Sequence, residues 1–364
     1  MVNMQIIILI AAKKSKNNVM KTKIITFIIL GAIPLCMFSQ RLPNQDTRGW
    51  NILFEDDMSV FDDNVWQKDS LVTRGTGTGE EPEIYMPSNC TIENGKLVLR
   101  THKEVPPVIH NHQGCYYLGQ HEYTSGEISS KVKYQYGYYE IYAKLPVGRG
   151  CWPAFWFWDA NDSPNNPWYN EIDVFEGDGK ITNSLTCNRH YGFAYPIDSN
   201  RYNAVQDFAC QYSSAFHWYG VKWTRNKIIW YLDRSVIREE SNTCGRIGIH
   251  HPMWLLINLA LKPNSKEEDN NFPPANDVNT MYVDQVNGYQ LDCTDKNVVI
   301  DSDHPIDFST YNWKTKKSIT LNGNTTIPQN SNIVLYATDF VKLEAGFNVP
   351  LGAELYIDIH NECQ

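Results

Sequence analysis

Asn170-Glu171-Ile172-Asp173-Val174-Phe175-Glu176-Gly177 sets three carboxylates among three apolar side chains. Successive side chains of a β-strand point to opposite faces, so Glu171 and Asp173 share one face while Ile172 and Val174 point into a core. Strict alternation would send Glu176 into that core too. An unpaired carboxylate buried there would cost several kcal/mol. One extra residue, accommodated as a β-bulge near Val174-Phe175, returns Glu176 to the face of Glu171. The stretch therefore predicts a bulged strand in a sheet that covers an apolar layer with one side and presents carboxylates on the other.

With the bulge, four regular steps put the two glutamate Cα atoms about 13 Å apart. Each side chain reaches inward by about 4 Å, leaving roughly 5 Å between carboxyl groups, close to the 5–5.5 Å of a retaining glycosidase pair. Three carboxylates in one patch cannot all ionise cheaply, so their titrations are coupled. Chemically this suits an ionised Glu171 as nucleophile, Asp173 hydrogen-bonded beside it and a protonated Glu176 as acid/base. Geometry alone allows Glu171 and Glu176 to exchange roles. A calcium site or a solvated strand face would also suit an ExDxxE string by itself.

Upstream, Trp152-Pro153-Ala154-Phe155-Trp156-Phe157-Trp158 alternates aromatic rings across a strand. Trp152, Trp156 and Trp158 fall on one face, as sugar-stacking platforms if Phe155 and Phe157 fill the core. Downstream, Thr186, Asn188 and His190 share a face, and His190 is placed to bond a sugar or the acid/base region. From about residue 50 to 291 the chain continues as short alternating segments, among them 95–100, 137–145 and 227–232, broken by Gly, Pro, Asn and Asp. With no competing helical period, this predicts an all-β sandwich or barrel. Residues 218–224 and 227–232 flank Arg225-Asn226 as a hairpin.

Beyond Cys293 the character changes. A polar linker is expected over 294–316 and a small β module over 317–364, with strand-like runs at 318–321, 332–336, 340–343 and 354–357. That module is too small for a cleft and reads as a spacer or cap. At the other end, Met20-Lys21-Thr22-Lys23 and the apolar run 24–38 resemble a secretory signal peptide that ends near residue 39, with Met20 as the expected true start. The run is too short for a convincing transmembrane anchor. A lipoprotein signal at Cys36 is the rival, with Leu35 before it too large. The expected location is secreted, extracellular or periplasmic, leaving 40–293 as the main domain.

Removal of that segment leaves Cys90, Cys115, Cys151, Cys187, Cys210, Cys244, Cys293 and Cys363, whose spacing permits disulfides without selecting a connectivity. It offers no zinc pattern. A net charge of −9 provides no basic stripe for a phosphate backbone, which excludes nucleic acid as an expected partner. Aromatic residues at 13% are instead consistent with a polysaccharide partner, and the chain is expected to act as a monomer.

The 171–176 string is similar to the active-site signature of glycoside hydrolase family 16, in the bulged form of laminarinases and carrageenases. The resemblance extends through Tyr123-Thr124-Ser125-Gly126, Tyr136-Gly137-Tyr138-Tyr139-Glu140, Lys144-Leu145-Pro146, Trp152-Pro153-Ala154-Phe155-Trp156, His190-Tyr191-Gly192, Phe216-His217-Trp218-Tyr219, Ile257-Asn258-Leu259-Ala260 and Tyr282-Val283-Asp284. It covers roughly residues 50–291. It implies a β-jelly-roll sandwich with a glycan cleft on its concave sheet, Glu171, Asp173 and Glu176 as nucleophile, assisting acid and acid/base, and Asn258 among the substrate-binding residues. No cofactor for catalysis is implied. A structural Ca2+ held by Asp284 and the backbone near Glu55 would carry over from some members. The tail resembles small C-terminal modules of secreted Bacteroidetes proteins.

The implied activity is retaining endo-hydrolysis of a β-linked polysaccharide, with β-1,3-glucan favoured by the form of the signature. A galactanase acting on agar, porphyran or carrageenan, a transglycosylase and a non-catalytic glycan-binding protein are the alternatives. Glu140-Ile141-Tyr142 and Leu261-Lys262 depart from the Glu-Ala-Arg and Gly-Gly elements common in the family, which leaves the glycan open.

Overall fold

The structure, a computed structural model, describes residues 6–7, 42, 50–73, 81–111, 118–148, 150–161, 168–192, 202–207, 212, 214–225, 227–241, 249, 251–262, 279–300, 315–323 and 325–359. The expected signal segment lies outside them apart from Ile6–Ile7, which pairs antiparallel with Ile357 and Tyr356. No helix among the described residues is long and apolar enough to cross a membrane. The chain forms two compact units, one of residues 52–223 with 227–288 and one of residues 289–364 with 1–51 and 224–226.

The first unit is a β-jelly-roll sandwich. Its seven-stranded sheet runs in the order Tyr202–Asp207, Ser184–Gly192, Trp168–Gly177, Cys151–Asn161, Trp254–Leu261, Glu127–Ser130 and Trp66–Lys68. The pairing is antiparallel throughout. An eight-stranded sheet contains Ser235–Ser241, Lys227–Leu232, His217–Trp223, Gly137–Lys144, Thr280–Leu291, Lys96–Arg100 and Cys90–Glu93, with Trp50–Asp56 beside Thr280–Leu291. The expected hairpin is present, with Trp223 opposite Ile228 and Tyr219 opposite Leu232.

One core joins the two sheets because each strand turns alternate apolar side chains inward. Phe155, Phe157, Ile172, Val174 and Phe175 come from the seven-stranded sheet, and Tyr139, Ile141, Tyr219, Val221, Trp223 and Trp230 from the eight-stranded one. Ring centroids of Phe175 and Tyr219 lie 4.6 Å apart, and those of Tyr139 and Phe157 4.9 Å apart. Offset and edge contacts of this kind stabilise beyond the area they bury. Trp230 crosses the interior to donate its indole N–H to the Asp173 carbonyl at 2.8 Å. The layer under the carboxylate strand is thus pinned as well as packed.

The second unit holds a parallel sheet of Cys293–Ile300, Thr315–Leu321, Asn332–Leu343 and Glu354–Ile359. Two runs expected as separate strands, 332–336 and 340–343, merge into one. The offset between successive strands is regular: Ile333 lies beside Leu355, Leu335 beside Ile357 and Leu321 beside Leu343. Thr326 and Asn348 bridge in parallel at the same spacing. Each coil thereby delivers an equivalent apolar residue to one stack of Ile319, Leu321, Ile327, Ile333, Leu335, Val349, Leu355 and Ile357, as in a solenoid. Asn330 and Gly352 occupy equivalent turns, both with positive φ, at 60° and 87°. This is the conformation that Asn and Gly tolerate best.

The strand Cys293–Ile300 opens this sheet and, past its first residue, runs through the stretch expected to be linker, with Val298 and Ile300 packed on the apolar stack. Cys293 is disulfide-bonded. Cys90, Cys151 and Cys187 are buried free thiols, so those three cysteines staple nothing.

Candidate active site

The bulge sits at the expected place. Against Cys151–Asn161, Phe155 pairs with Phe175 and Trp156 with Asp173, leaving Val174 as the extra residue. Against Ser184–Gly192 the register slips between Asp173 and Glu176. Ile172, Val174 and Phe175 are consequently all buried, while Glu171 and Glu176 both remain partly exposed. The bulge lets two consecutive apolar residues face the core without dragging the second glutamate in after them.

Asp173 is the most enclosed of the three carboxylates, at 2% exposure against 25% for the Glu171 side chain. His190, directly opposite Glu171 in the ladder, places Nε2 3.2 Å from Asp173 Oδ2 and 3.7 Å from Glu171 Oε1. Burial, then the charge of Asp173, pushes the Glu171 carboxyl well above the usual carboxylate range, with His190 pulling it back. Two carboxyl groups this close cannot both be ionised cheaply, so the titrations of Glu171 and Asp173 are linked.

Glu176 has a separate set of partners. Trp152 donates its indole N–H to Oε1 at 3.0 Å, and the Asn188 amide donates to Oε2 at 3.2 Å. Burial raises this carboxyl, and the Asn188 bond, His190, the Trp152 bond and Lys262 each pull it down. Burial and opposing donors thus hold Glu176 closer to its ordinary value than Glu171, with donors fixing both of its oxygens.

The three tryptophans take the expected face. Phe155 and Phe157 are fully buried, whereas Trp152, Trp156 and Trp158 are each partly exposed beside the carboxylates. Trp156 lies opposite Asp173 and Trp158 opposite Glu171. Asn258 is 3% exposed, and both ends of its amide bond protein groups: Oδ1 accepts from Trp156 Nε1 at 2.9 Å and Nδ2 donates to the Tyr85 hydroxyl at 2.9 Å. Tyr85 in turn donates to the fully buried Glu83 at 3.0 Å. Asn258 therefore anchors a tryptophan, a role fixed by contacts distant in sequence. Asn188, Tyr85, Glu83 and Lys262 belong to this region without having been singled out as site residues. The placement of Asn188 on the His190 face, and the departure from Gly-Gly at Leu261-Lys262, were the signals available.

Of the residues expected to hold calcium, Asp284 has a partner of its own. Asp284 Oδ1 is taken by the Lys96 ammonium, a cation already in place. Glu171, Asp173 and His190 are the one group of at least three among the described residues whose ligating atoms converge, within 4.8 Å. Those are the atoms of the carboxylate strand and its neighbour. A cavity of about 640 Å³ lies elsewhere, lined by Lys96, Arg100, Lys144, Phe216 and Tyr282 among others.

The chain is 31% identical over 177 residues to the endo-1,3-1,4-beta-glycanase ExsH of Rhizobium meliloti (strain 1021), which covers 48% of this chain and 35% of that protein. It is 27% identical over 274 residues to the glucan endo-1,3-beta-glucosidase A1 of Niallia circulans, covering 66% of this chain and 38% of that one. It thus spans little more than a third of either relative. Among solved structures, the catalytic domain of an endo-1,3-beta-glucanase (laminarinase) from Thermotoga petrophila RKU-1 matches with a TM-score of 0.52 and 25% identity, covering 66% of this chain and 98% of that domain. The model of glycosyl hydrolases family 16 matches residues 83–284, more than half of the chain and the segment that holds the bulged carboxylate strand, its aromatic neighbour and the Asn258 strand. The chain belongs to family 16 of the glycosyl hydrolases.

Proposed function

We propose that this protein is an exported endo-acting hydrolase that cuts a β-linked polysaccharide with retention of configuration, a β-1,3-glucan before other substrates. The observation that carries the reading is the bulge, which leaves both Glu171 and Glu176 partly exposed, with separate partners. The names of the relatives, a 1,3-1,4-glycanase and 1,3-glucanases, support the glucan.

In the first step the Glu171 carboxylate attacks the anomeric carbon. The bond from that carbon to the leaving sugar oxygen breaks, and Glu176 passes its proton to that oxygen. Because Asp173 is among the groups that raise Glu171, a proton held on Asp173 leaves Glu171 as the carboxylate of the pair, and that proton stays in place as Glu171 becomes an ester. In the second step Glu176, now ionised, takes a proton from water while the water oxygen attacks the anomeric carbon and releases Glu171. Two inversions give net retention. Trp152, Trp156 and Trp158 offer stacking faces on either side of the bond, and neither step calls for a cofactor. The polysaccharide is the one partner this chemistry needs, and a monomer suffices.

Laminarin, lichenan, agarose, porphyran and carrageenans, assayed for new reducing ends, test the substrate. Laminarin is expected to respond most strongly. Loss of general-acid assistance in Glu176→Gln is expected to lower turnover by about 10²–10⁴-fold with glycan binding kept. Equal and absent turnover of wild type and variant across the panel, with binding retained, would make the protein a glycan-binding module instead.

A further inference from the structure

Lys262 follows the Asn258 strand where the sequence departs from Gly-Gly, and its backbone N–H donates to the Gly150 carbonyl at 2.8 Å. Its ammonium bonds Asp178 Oδ2 at 2.8 Å and lies 5.8 Å from the centroid of the Trp152 ring. Asp178 is fixed in turn: its Oδ1 accepts the Lys180 N–H at 2.9 Å, and its carbonyl accepts the Tyr212 hydroxyl at 2.6 Å. Trp152 is the ring whose indole N–H holds Glu176 Oε1. The ion pair is about one-third exposed, 37% on the lysine side and 25% on the aspartate side, so its contribution to stability is small. Its placement against the ring has a different consequence. A cation near an aromatic face restrains that ring, and this ring orients a reacting carboxyl.

We propose that Lys262 and Asp178 are positioning residues that clamp Trp152 against Glu176 and so hold the proton-donating carboxyl at the leaving oxygen. This rests on the reading of Glu176 as acid/base. The other groups facing Glu176 are Asn188 and His190 on the neighbouring strand and the carboxylates of its own strand. Lys262 also lowers the Glu176 carboxyl directly through its charge, a contribution that Lys262→Arg keeps and Asp178→Asn leaves in place. A loosened acid penalises bonds whose leaving group must be protonated and spares those whose leaving group departs as a stable anion.

The test compares oligoglucosides carrying a poor phenol leaving group with those carrying dinitrophenol. Lys262→Met and Asp178→Asn are expected to lose about tenfold in kcat/KM on the phenyl substrate, a part of the roughly 10²–10⁴-fold that acid catalysis contributes. They should lose essentially nothing on the dinitrophenyl substrate, and Lys262→Arg should recover most of the loss. Melting temperatures close to wild type show that the variants are folded. Equal losses on both substrates, or none on either, would overturn the clamp. Failure of the wild type to cleave either substrate would instead count against the proposed function.

Discussion

Trp152→Phe keeps an aromatic ring beside the bulge and removes the pyrrole half of the indole, with the N–H that points at Glu176 Oε1 from 3.0 Å. That bond stabilises the ionised carboxylate, and Glu176 also retains Asn188 and the nearby cations. A hydrogen bond to a charged group contributes about 1.5–3 kcal/mol. A neutral donor on a partly exposed carboxylate belongs at the low end, and one pKa unit corresponds to about 1.4 kcal/mol, so the Glu176 pKa should rise by roughly one unit. In free enzyme the acid must be protonated, and kcat/KM falls as pH climbs through its pKa. The assay is the pH profile of kcat/KM on soluble glucan oligosaccharides. The basic limb should move up by about one pH unit while the acidic limb, set by the Glu171–Asp173 pair, stays in place. A basic limb that stays put or moves down in an active variant would refute the assignment of Trp152 as a partner of the ionised acid.

The raised Glu171 carboxyl also bears on stability. A carboxyl whose folded pKa exceeds its unfolded value of about 4.3 binds its proton more tightly when folded, so stability falls as pH rises from the unfolded toward the folded pKa. Glu171→Gln should therefore melt above wild type at neutral pH, by about 2–4 °C for each kcal/mol relieved, with the gap closing toward pH 4 in calorimetry. In the second unit, a Cβ on Gly352 would lie 2.4 Å from Asn330 Oδ1 at a positive φ, and Gly352→Ala should cost at least about 1–2 kcal/mol by thermal denaturation. Addition of a chelator should leave the melting temperature unchanged, since Lys96 already neutralises Asp284. A drop of several degrees restored by calcium would show a site that these residues do not reveal.

The bulge was legible in the sequence because a strand with carboxylates at 171, 173 and 176 and apolar residues at 172, 174 and 175 has no regular register free of a buried charge. The tryptophan face was legible for the same reason of period, with Phe155 and Phe157 marking the core side. Contacts between distant strands were not. The bonds from Asn258 to Trp156 and Tyr85 join residues far apart in the sequence, and nothing local links Lys262 with Asp178 and Trp152. The tail shows another limit. Its apolar runs announced strands, but parallel pairing is set by the spacing between equivalent turns, such as those at Asn330 and Gly352, and one of its strands lies in a stretch whose polarity suggested linker.

Trapping the covalent intermediate tests the proposed chemistry most directly. A 2-deoxy-2-fluoro oligoglucoside with a dinitrophenyl leaving group slows both steps and slows release of the ester more, so the labelled enzyme accumulates. Peptide mass spectrometry should then find one sugar adduct, on the peptide containing Glu171 and at that residue, and none in Glu171→Gln. An adduct on Glu176, or turnover that leaves no adduct and yields the inverted anomer, would contradict the assignment of Glu171 as nucleophile.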